Sequence, residues 1–116
     1  MTQLTTENSD YLLVMTTTPG SITAKKVANE LVEKGVASCV QVLPQMYSVF
    51  RWKGRVEHED EHLLLIKTAA ASYSAVEAII KEQHPYEVPE IVAVPIVGGL
   101  TEYLGWISQT AVSSDK

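Results

Sequence analysis

The chain has 116 residues and a formal net charge of −5, with 46% apolar and 20% charged residues. This length predicts a single domain, and the composition is that of a folded globular protein rather than a disordered one. Nine Lys and Arg residues are scattered without a cluster against fourteen Asp and Glu. This distribution argues against a nucleic-acid-binding protein, because such proteins present a basic face.

Three features of the chain bear on its compartment. The longest apolar stretch, Ile91 to Val97, is interrupted by Pro95 and is far shorter than the roughly 20 residues of a membrane helix. The segment from Met1 to Asp10 is polar and lacks the apolar region of a signal peptide. The single cysteine, Cys39, has no partner for an internal disulfide. We therefore expect a cytoplasmic protein that does not enter a membrane.

The apolar pattern predicts four strands and three helices within one domain, residues 10–110, between flexible polar tails at 1–9 and 111–116. In chain order these are a strand over Tyr11–Thr17, a helix from Ser21 to Gly35, strands over Ser38–Trp52 and Val56–Thr68, a helix from Ser72 or Ser74 to His84, a strand over Ile91–Val97 and a helix over Leu100–Thr110. This order is typical of an α+β, ferredoxin-like split β-α-β sandwich with an antiparallel sheet and an added C-terminal helix. Right-handed crossovers place the two main helices on one sheet face and leave the other uncovered.

Local signals set several boundaries. Ser21 is predicted to cap the first helix and Gly35 to end it. Ser74 and Glu77 have the spacing of a capping box for the second helix. The continuous apolar run Leu63–Ile66 predicts a strand segment that is buried on both faces.

The two middle strands meet at the turn signal Lys53-Gly54, which predicts a hairpin. This hairpin is long for the domain and should carry a bulge or bend at Pro44. At about 3.3 Å per residue, the returning strand Val56–Thr68 spans roughly 43 Å, whereas a globule of this size is about 35 Å across. The tip should therefore project with its aromatic side chains in water. Pairing with a neighbouring subunit would cover them and the open sheet edges. A shorter hairpin folded back at Pro44 is the alternative.

Five segments coincide in order with the pattern of one family. They are Ala37-Ser38-Cys39-Val40, Phe50-Arg51-Trp52-Lys53-Gly54, Lys67-Thr68, His84-Pro85-Tyr86-Glu87-Val88-Pro89-Glu90 and Tyr103-Leu104-Gly105-Trp106-Ile107. Over residues 11–109 the chain resembles the CutA family of divalent-cation (copper) tolerance proteins. The resemblance implies a PII-like homotrimer with hairpins paired between subunits, a role in tolerance of copper and other divalent cations, and no enzymatic reaction. Gln41 and Phe50 depart from the Asn and Tyr usual in the family.

The first candidate metal ligand is Cys39, because a thiolate suits copper. The second is His84, whose imidazole has the carboxylates of Glu87 and Glu90 nearby in the sequence. Each has a structural alternative. For Cys39 the favoured interpretation is the structural one, a small buried apolar residue on a core strand. His84 is equally typical of a rigid turn whose polar groups bind the backbone. The fold requires no cofactor, and Cu(II) or another divalent cation is the expected ligand.

The resemblance also predicts a cleft between subunits, lined by Trp52, Lys67, Tyr86 and Glu90. The alternative function is a PII-like signalling or scaffold trimer that binds a small metabolite or anion in that cleft. No local pattern of catalytic residues predicts an enzyme.

The start of the returning strand is strongly acidic. Its two histidines, His58 and His62, lie roughly 13 Å apart on one strand face and are too distant to share one ion. A solvated acidic face is the prediction. Weak surface binding of cations is the alternative, by Glu57, Glu59, Asp60 and Glu61.

Overall fold

The structure, a computed structural model, describes residues 9–112 of the chain. The elements are β1 (Tyr11–Thr18), α1 (Ser21–Glu33), β2 (Cys39–Trp52), β3 (Arg55–Ala69), α2 (Tyr73–Gln83), β4 (Ile91–Pro95) and α3 (Thr101–Thr110), with a turn of 3-10 helix at Ala70–Ser72. The predicted α+β class and the order of elements are confirmed. Within the described residues, no helix is long and apolar enough to cross a membrane.

One residue on each side of the predicted domain contacts it. The hydroxyl of Ser9 donates a hydrogen bond of 2.7 Å to the carbonyl oxygen of Ile96. At the other end, Ala111 is buried with 2% of its surface exposed. Residues 1–8 and 113–116 of the two predicted tails lie outside the described residues.

The four strands form one antiparallel sheet in the order β2-β3-β1-β4. The first and third strands are therefore central, as in the ferredoxin-like arrangement predicted from the sequence. The helices α1 and α2 pack on one face, where alternate strand residues form the core. That core comprises Leu12, Val14, Leu64 and Ile66 of the sheet and Ala24, Val27, Leu31, Val76, Ile79 and Ile80 of the helices. A fully buried Leu or Ile contributes about 1.5–3 kcal/mol relative to an exposed one.

The prediction that Leu63–Ile66 is buried on both faces is wrong. Leu64 and Ile66 point to the helices and are fully buried, whereas Leu63 and Leu65 point to the other face and are only half-buried. The physical reason is that α1 and α2 cover one face of the sheet, so the second face of a single chain has little cover.

The start of α1 differs from prediction, and its end agrees with it. Ser21 is already the first helical residue, so Gly20 occupies the cap position and its carbonyl accepts a hydrogen bond of 3.1 Å from the Ala24 amide. Gly35 follows the helix with φ of 75°. That left-handed conformation is one that glycine adopts without strain, which explains why the helix ends there.

The predicted capping box of α2 is also wrong. The helix begins at Tyr73, one residue before Ser74, and no side chain caps its start. Glu77 instead accepts a hydrogen bond of 3.1 Å from the Tyr73 hydroxyl. The preceding turn of 3-10 helix at Ala70–Ser72 leads directly into α2 and moves its start forward.

The hairpin is long and carries the predicted bulge. Leu43 pairs with Leu63 and Met46 with Glu61, so β2 holds one extra residue at this point, where Gln45 has φ of 62°. Pairing then continues to the turn at the tip, and the molecule is 43 Å along its longest axis. The alternative of a hairpin folded back at Pro44 is therefore not adopted.

The sheet face opposite α1 and α2 is only partly covered. The helix α3 lies at one end of it, where the Tyr11 and Ser108 hydroxyls are 2.8 Å apart. Elsewhere apolar side chains remain in water, with exposures of 42% for Leu43, 46% for Val92 and 43% for Val94. Because β2 and β4 are also the unpaired edges of the sheet, this face has the properties of a surface that another chain covers.

Candidate functional site: an acidic cleft beside the hairpin

A cleft of about 820 Å³ lies between the outer half of the β2–β3 hairpin and the loop that joins α2 to β4. Five of its lining residues are glutamates, namely Glu57, Glu59, Glu61, Glu87 and Glu90. Three are aromatic, namely Phe50, Trp52 and Tyr86. Among the described residues that line it, none is Lys, Arg or His. We call this feature the acidic cleft.

The bulge in β2 brings the aromatic and acidic walls to the same side. Alternate residues of β3 share a face, so Glu57, Glu59 and Glu61 form a row with neighbours about 7 Å apart. The extra residue in β2 shifts its alternation, so that Phe50 pairs with Glu57 on this face and Trp52 lies next to it. The acidic cleft is therefore a product of the hairpin register.

Glu61 is fixed by a tyrosine from the loop. This glutamate is only 5% exposed, and its Oε2 accepts a hydrogen bond of 3.0 Å from the Tyr86 hydroxyl. Burial of the phenol, together with the hydrogen bond and the negative charge of Glu61 and the charge of Glu59, raises the pKa of Tyr86 to about 12. Tyr86 therefore stays protonated and remains a donor to the carboxylate at physiological pH.

His84 holds the other end of this loop to the sheet. The side chain is buried, its Nε2 lies 2.5 Å from the Thr17 carbonyl oxygen, and its Nδ1 accepts a hydrogen bond of 3.1 Å from the Tyr86 amide. Since a carbonyl oxygen only accepts, Nε2 carries the proton and Nδ1 is the acceptor. Both ring nitrogens are thus used within the chain, as in the rigid-turn alternative, and a metal at either one would replace a hydrogen bond.

Few other contacts hold the loop. Outside the helices and strands, no hydrogen bond between main-chain groups of the described chain involves residues 85–90. The rings of His84 and Tyr86 contact each other with their centroids 4.6 Å apart. The position of Glu87 and Glu90 at the cleft therefore depends on these two side chains and on the rigidity of Pro85.

Cys39 and Lys67 lie away from the acidic cleft within one chain. They face each other on β2 and β3, and Lys67 is six residues from Glu61, or about 20 Å along the strand. The Lys67 ammonium donates a hydrogen bond of 3.0 Å to Oε1 of Gln41 and lies 5.7 Å from the centroid of the Tyr103 ring. Gln41, one of the departures from the family pattern, thus reaches Lys67.

The structure therefore brings only some of the predicted cleft residues and metal ligands together within one chain. Of the predicted cleft residues, Trp52, Tyr86 and Glu90 line the acidic cleft, and Lys67 does not. Of the predicted metal ligands, Glu87 and Glu90 line it, His84 lies behind Tyr86, and Cys39 is distant. Within residues 9–112, no group of three or more His, Cys, Asp or Glu side chains is arranged to hold a metal ion.

From the sequence, weak cation binding by the carboxylates of β3 was only the alternative to a solvated acidic face. The signal that would have found it is the placement of Glu57, Glu59 and Glu61 at every second position of one strand. The two histidines of that strand do not take part. The ring of His58 contacts Tyr47 with centroids 5.5 Å apart, and neither ring lines the acidic cleft.

Comparison with known proteins agrees with this fold over nearly the whole domain. The family described as "CutA1 divalent ion tolerance protein" matches residues 12–110. "Divalent-cation tolerance protein CutA" of Thermus thermophilus is 41% identical over 97 residues, which is 84% of this chain and 94% of that protein. "Protein CutA" of Mus musculus is 39% identical over 97 residues. The match covers 84% of this chain and 55% of the mouse protein, so the chain spans about half the length of that relative.

Solved structures give the same result. The crystal structure of CutA from Xylella fastidiosa superimposes with a TM-score of 0.87 and 38% identity, covering 90% of this chain and 100% of that one. The relatives include one named chloroplastic from Arabidopsis thaliana and one named periplasmic from Archaeoglobus fulgidus. A cytoplasmic location for this chain accordingly stays a prediction. From its sequence match and its fold, the chain belongs to the CutA1 family of divalent ion tolerance proteins.

Proposed function

We propose that this chain forms a homotrimer that acts in tolerance of divalent cations and binds Cu(II) at its acidic cleft. The observation that carries the proposal is the lining of that cleft, in which five glutamates are gathered without a basic side chain among the described residues. A concave surface of one sign focuses the field and raises the local concentration of counter-ions. Copper is the divalent first-row ion with the highest affinity for most protein ligands.

Assembly is supported by the uncovered apolar surface. Leu43, Val92 and Val94 lie on the open sheet face, and each is more than 40% exposed in a single chain. Tyr47 and Val49 of the hairpin are more than 60% exposed. Exposed apolar side chains of this kind, on a chain with two unpaired sheet edges, are typical of a subunit interface.

Ligands from more than one subunit would complete the metal site. A single chain offers carboxylates at the acidic cleft, while Cys39 lies about 20 Å away along the sheet. Glu87 and Glu90 are the proposed oxygen ligands from the loop, and the row on β3 supplies further oxygens. Cys39 and His84 remain proposed ligands, with His84 exchanging its hydrogen bond to the Tyr86 amide for a metal bond.

Native mass spectrometry of metal-free protein, titrated with Cu(II), tests the proposal. The expected result is three subunits that take up a small fixed number of ions. Glu59→Gln with Glu87→Gln should reduce this uptake, because two cleft carboxylates are lost. Glu33→Gln with Glu82→Gln is the matched control, since both residues are exposed on helices and the charge change is the same. The same titration of Cys39→Ser and of His84→Gln tests these two proposed ligands, because substitution of a true ligand should lower the uptake of Cu(II). A ragged series of adducts that no cleft substitution alters would contradict the metal site.

A second candidate is a PII-like trimer that binds a small metabolite in the same cleft. Its volume of about 820 Å³ and its walls of Phe50, Trp52 and Tyr86 support this, since sites for small molecules are of this size and are largely apolar. The glutamates disfavour an anionic ligand and favour a neutral or cationic one. Lys67 does not line the cleft, so its charge does not offset theirs. The discriminating measurement is quenching of tryptophan fluorescence by a set of small molecules in a Trp106→Phe background, which leaves Trp52 as the fluorophore. Quenching by cationic compounds should be lost when Glu59→Lys is added.

A further inference from the structure

The acidic cleft contains a row of evenly spaced carboxylates. Glu57, Glu59 and Glu61 alternate along β3 and all line the cleft. Neighbours in the row lie about 7 Å apart, and the outer two about 13 Å apart. Within residues 9–112, the one basic group in ion-pair range of the row is Arg55, at the limiting distance of 4.0 Å from Glu57. The row is therefore a regular series of negative charges that the described chain leaves almost without cations.

Glu61 forms the buried end of this row. The residue is only 5% exposed, and the Tyr86 hydroxyl donates to its Oε2. In the described part of the chain, the second carboxylate oxygen, Oε1, accepts no hydrogen bond. Because a carboxylate is costly to bury without partners, a donor that reaches this oxygen from outside the chain would be stabilising.

Aromatic rings line the same cleft. Phe50 and Trp52 are 38% and 40% exposed, and Tyr86 lines the cleft from the loop. Aromatic faces attract cations that lie within about 6 Å of the ring centroid. The chain itself gives an example, because the Lys53 ammonium lies 5.6 Å from the centroid of the Trp52 ring. The cleft therefore offers attraction for ammonium groups and apolar contact for the carbon chain that carries them.

The spacing of the row favours one kind of cation. A single metal ion needs oxygen ligands that converge to about 2.0–2.6 Å from it. Within residues 9–112, no three His, Cys, Asp or Glu side chains converge in this way. An organic cation with several charges along a flexible chain needs no convergence, because each charge pairs with a different carboxylate.

We infer that the acidic cleft binds a linear aliphatic oligoamine, with about four or five methylene groups between successive ammonium groups. An extended chain advances about 1.3 Å per bond, so its nitrogens lie roughly 6–8 Å apart and match the spacing of the row. One ammonium donates to Oε1 of Glu61 and the next pairs with Glu59. The methylene groups contact Phe50 and Trp52. The cleft volume of about 820 Å³ lies within the range of small-molecule sites.

This inference rests on the second candidate function above, a small molecule in the acidic cleft, and names the chemical class of that molecule. It requires neither the metal site nor the homotrimer. Because a divalent cation and the amine would use the same carboxylates, each weakens the binding of the other by the same factor.

Isothermal titration calorimetry of the full chain tests the inference, after metal is removed by dialysis against a chelator. Low ionic strength is needed because salt screens exposed charges. The probes are 1,4-diaminobutane and 1,5-diaminopentane. Each should bind at least about fivefold more tightly than the singly charged 1-aminobutane, which is the upper value of one exposed ion pair. Each should also bind more tightly than 1,3-diaminopropane, whose nitrogens are only about 5 Å apart.

Glu59→Gln should weaken binding of both diamines at least about fivefold, because it removes the central carboxylate of the row. Asp60→Asn is the matched control, since Asp60 is the next residue of β3, is exposed and does not line the cleft. This control should bind the diamines as the wild type does.

Equal weakening by the two substitutions would overturn the inference, as would binding of 1-aminobutane or 1,3-diaminopropane as tight as that of the longer diamines. Loss of amine binding in a protein that still takes up Cu(II) would overturn it and leave the metal site standing. Amine binding by a protein that takes up no Cu(II) would support the inference and contradict the metal site.

Discussion

The hydroxyl of Tyr86 donates a 3.0 Å hydrogen bond to Oε2 of Glu61, a carboxylate on β3 that is only 5% exposed. This contact joins the loop before β4 to the hairpin and closes one end of the acidic cleft. The Tyr86 amide in turn donates to Nδ1 of His84, which itself bonds Thr17. One tyrosine therefore links a buried glutamate and a buried histidine that the sequence separates by 23 positions.

Tyr86→Phe removes the donor of this link and should destabilise the folded chain. The loss leaves a buried carboxylate without its hydrogen bond, which costs about 1–3 kcal/mol. Urea denaturation followed by circular dichroism measures the change. Tyr47→Phe is the matched control, because Tyr47 is 62% exposed and should change stability by no more than about 0.5 kcal/mol. Equal effects of the two substitutions would contradict a stabilising role for the Tyr86 hydroxyl.

The same contact predicts late ionisation of Tyr86. Burial, followed by the effects of Glu61 and Glu59, raises the pKa of this phenol from 10.0 to about 12 in the folded chain. Its neutral form is therefore favoured by folding. That contribution to stability is complete below pH 10, where the phenol of the unfolded chain is also protonated, and is lost as the pH rises from 10 to about 12.

Ultraviolet difference spectroscopy of tyrosinate follows this ionisation. Subtracting the titration of Tyr86→Phe from that of the wild type isolates Tyr86. The subtraction is needed because burial and Glu77 also raise the pKa of Tyr73. A difference curve centred at the ordinary value of 10.0 would show that the phenol is not held in the environment described.

Hydrophobic periodicity was sufficient to predict the elements and their order, because each strand and helix buries one face with its own period. Leu64 and Ile66 illustrate the limit of that signal. They belong to one apolar run with Leu63 and Leu65, yet only the first two meet the helices. Which face of a sheet is covered depends on the crossovers and on other chains. A local sequence pattern contains no information about either.

The acidic cleft was harder to predict because it depends on register. Pro44 indicated a bulge, but the number of extra residues follows from the backbone of Gln45, whose φ is 62°. That single residue decides that Phe50 faces Glu57. Lys67 lies about 20 Å from Glu61 along β3, so within one chain it is separate from the acidic cleft. A motif gives the order of residues, and on a 15-residue strand it does not give the distance between two sites.

The attachment of α3 gives a third prediction. The buried hydroxyl of Ser38 donates to the Ile107 carbonyl oxygen at 3.2 Å and lies 2.6 Å from the hydroxyl oxygen of Thr110. Ser38→Ala should therefore destabilise the chain by about 1–3 kcal/mol and accelerate amide hydrogen exchange in α3 more than elsewhere. Ser74→Ala is the control, since Ser74 is exposed and caps no helix. Uniform acceleration across the whole chain would contradict a local anchor.

The open sheet face gives the last prediction, through Leu43→Lys. Leu43 is 42% exposed on the edge strand β2, beside the half-buried Leu63. A lysine there keeps its stem on the sheet and its ammonium in water, so a single chain should fold with unchanged circular dichroism. In an assembly that covers this face, the ammonium would be buried without a partner, which is strongly unfavourable. Sedimentation velocity should therefore show dissociation.

Val32→Lys on α1 is the matched control, because Val32 is 44% exposed but lies away from this face, and its assembly should be unaffected. An unchanged assembly of Leu43→Lys would mean that subunits meet elsewhere and that the apolar face of the sheet serves another contact.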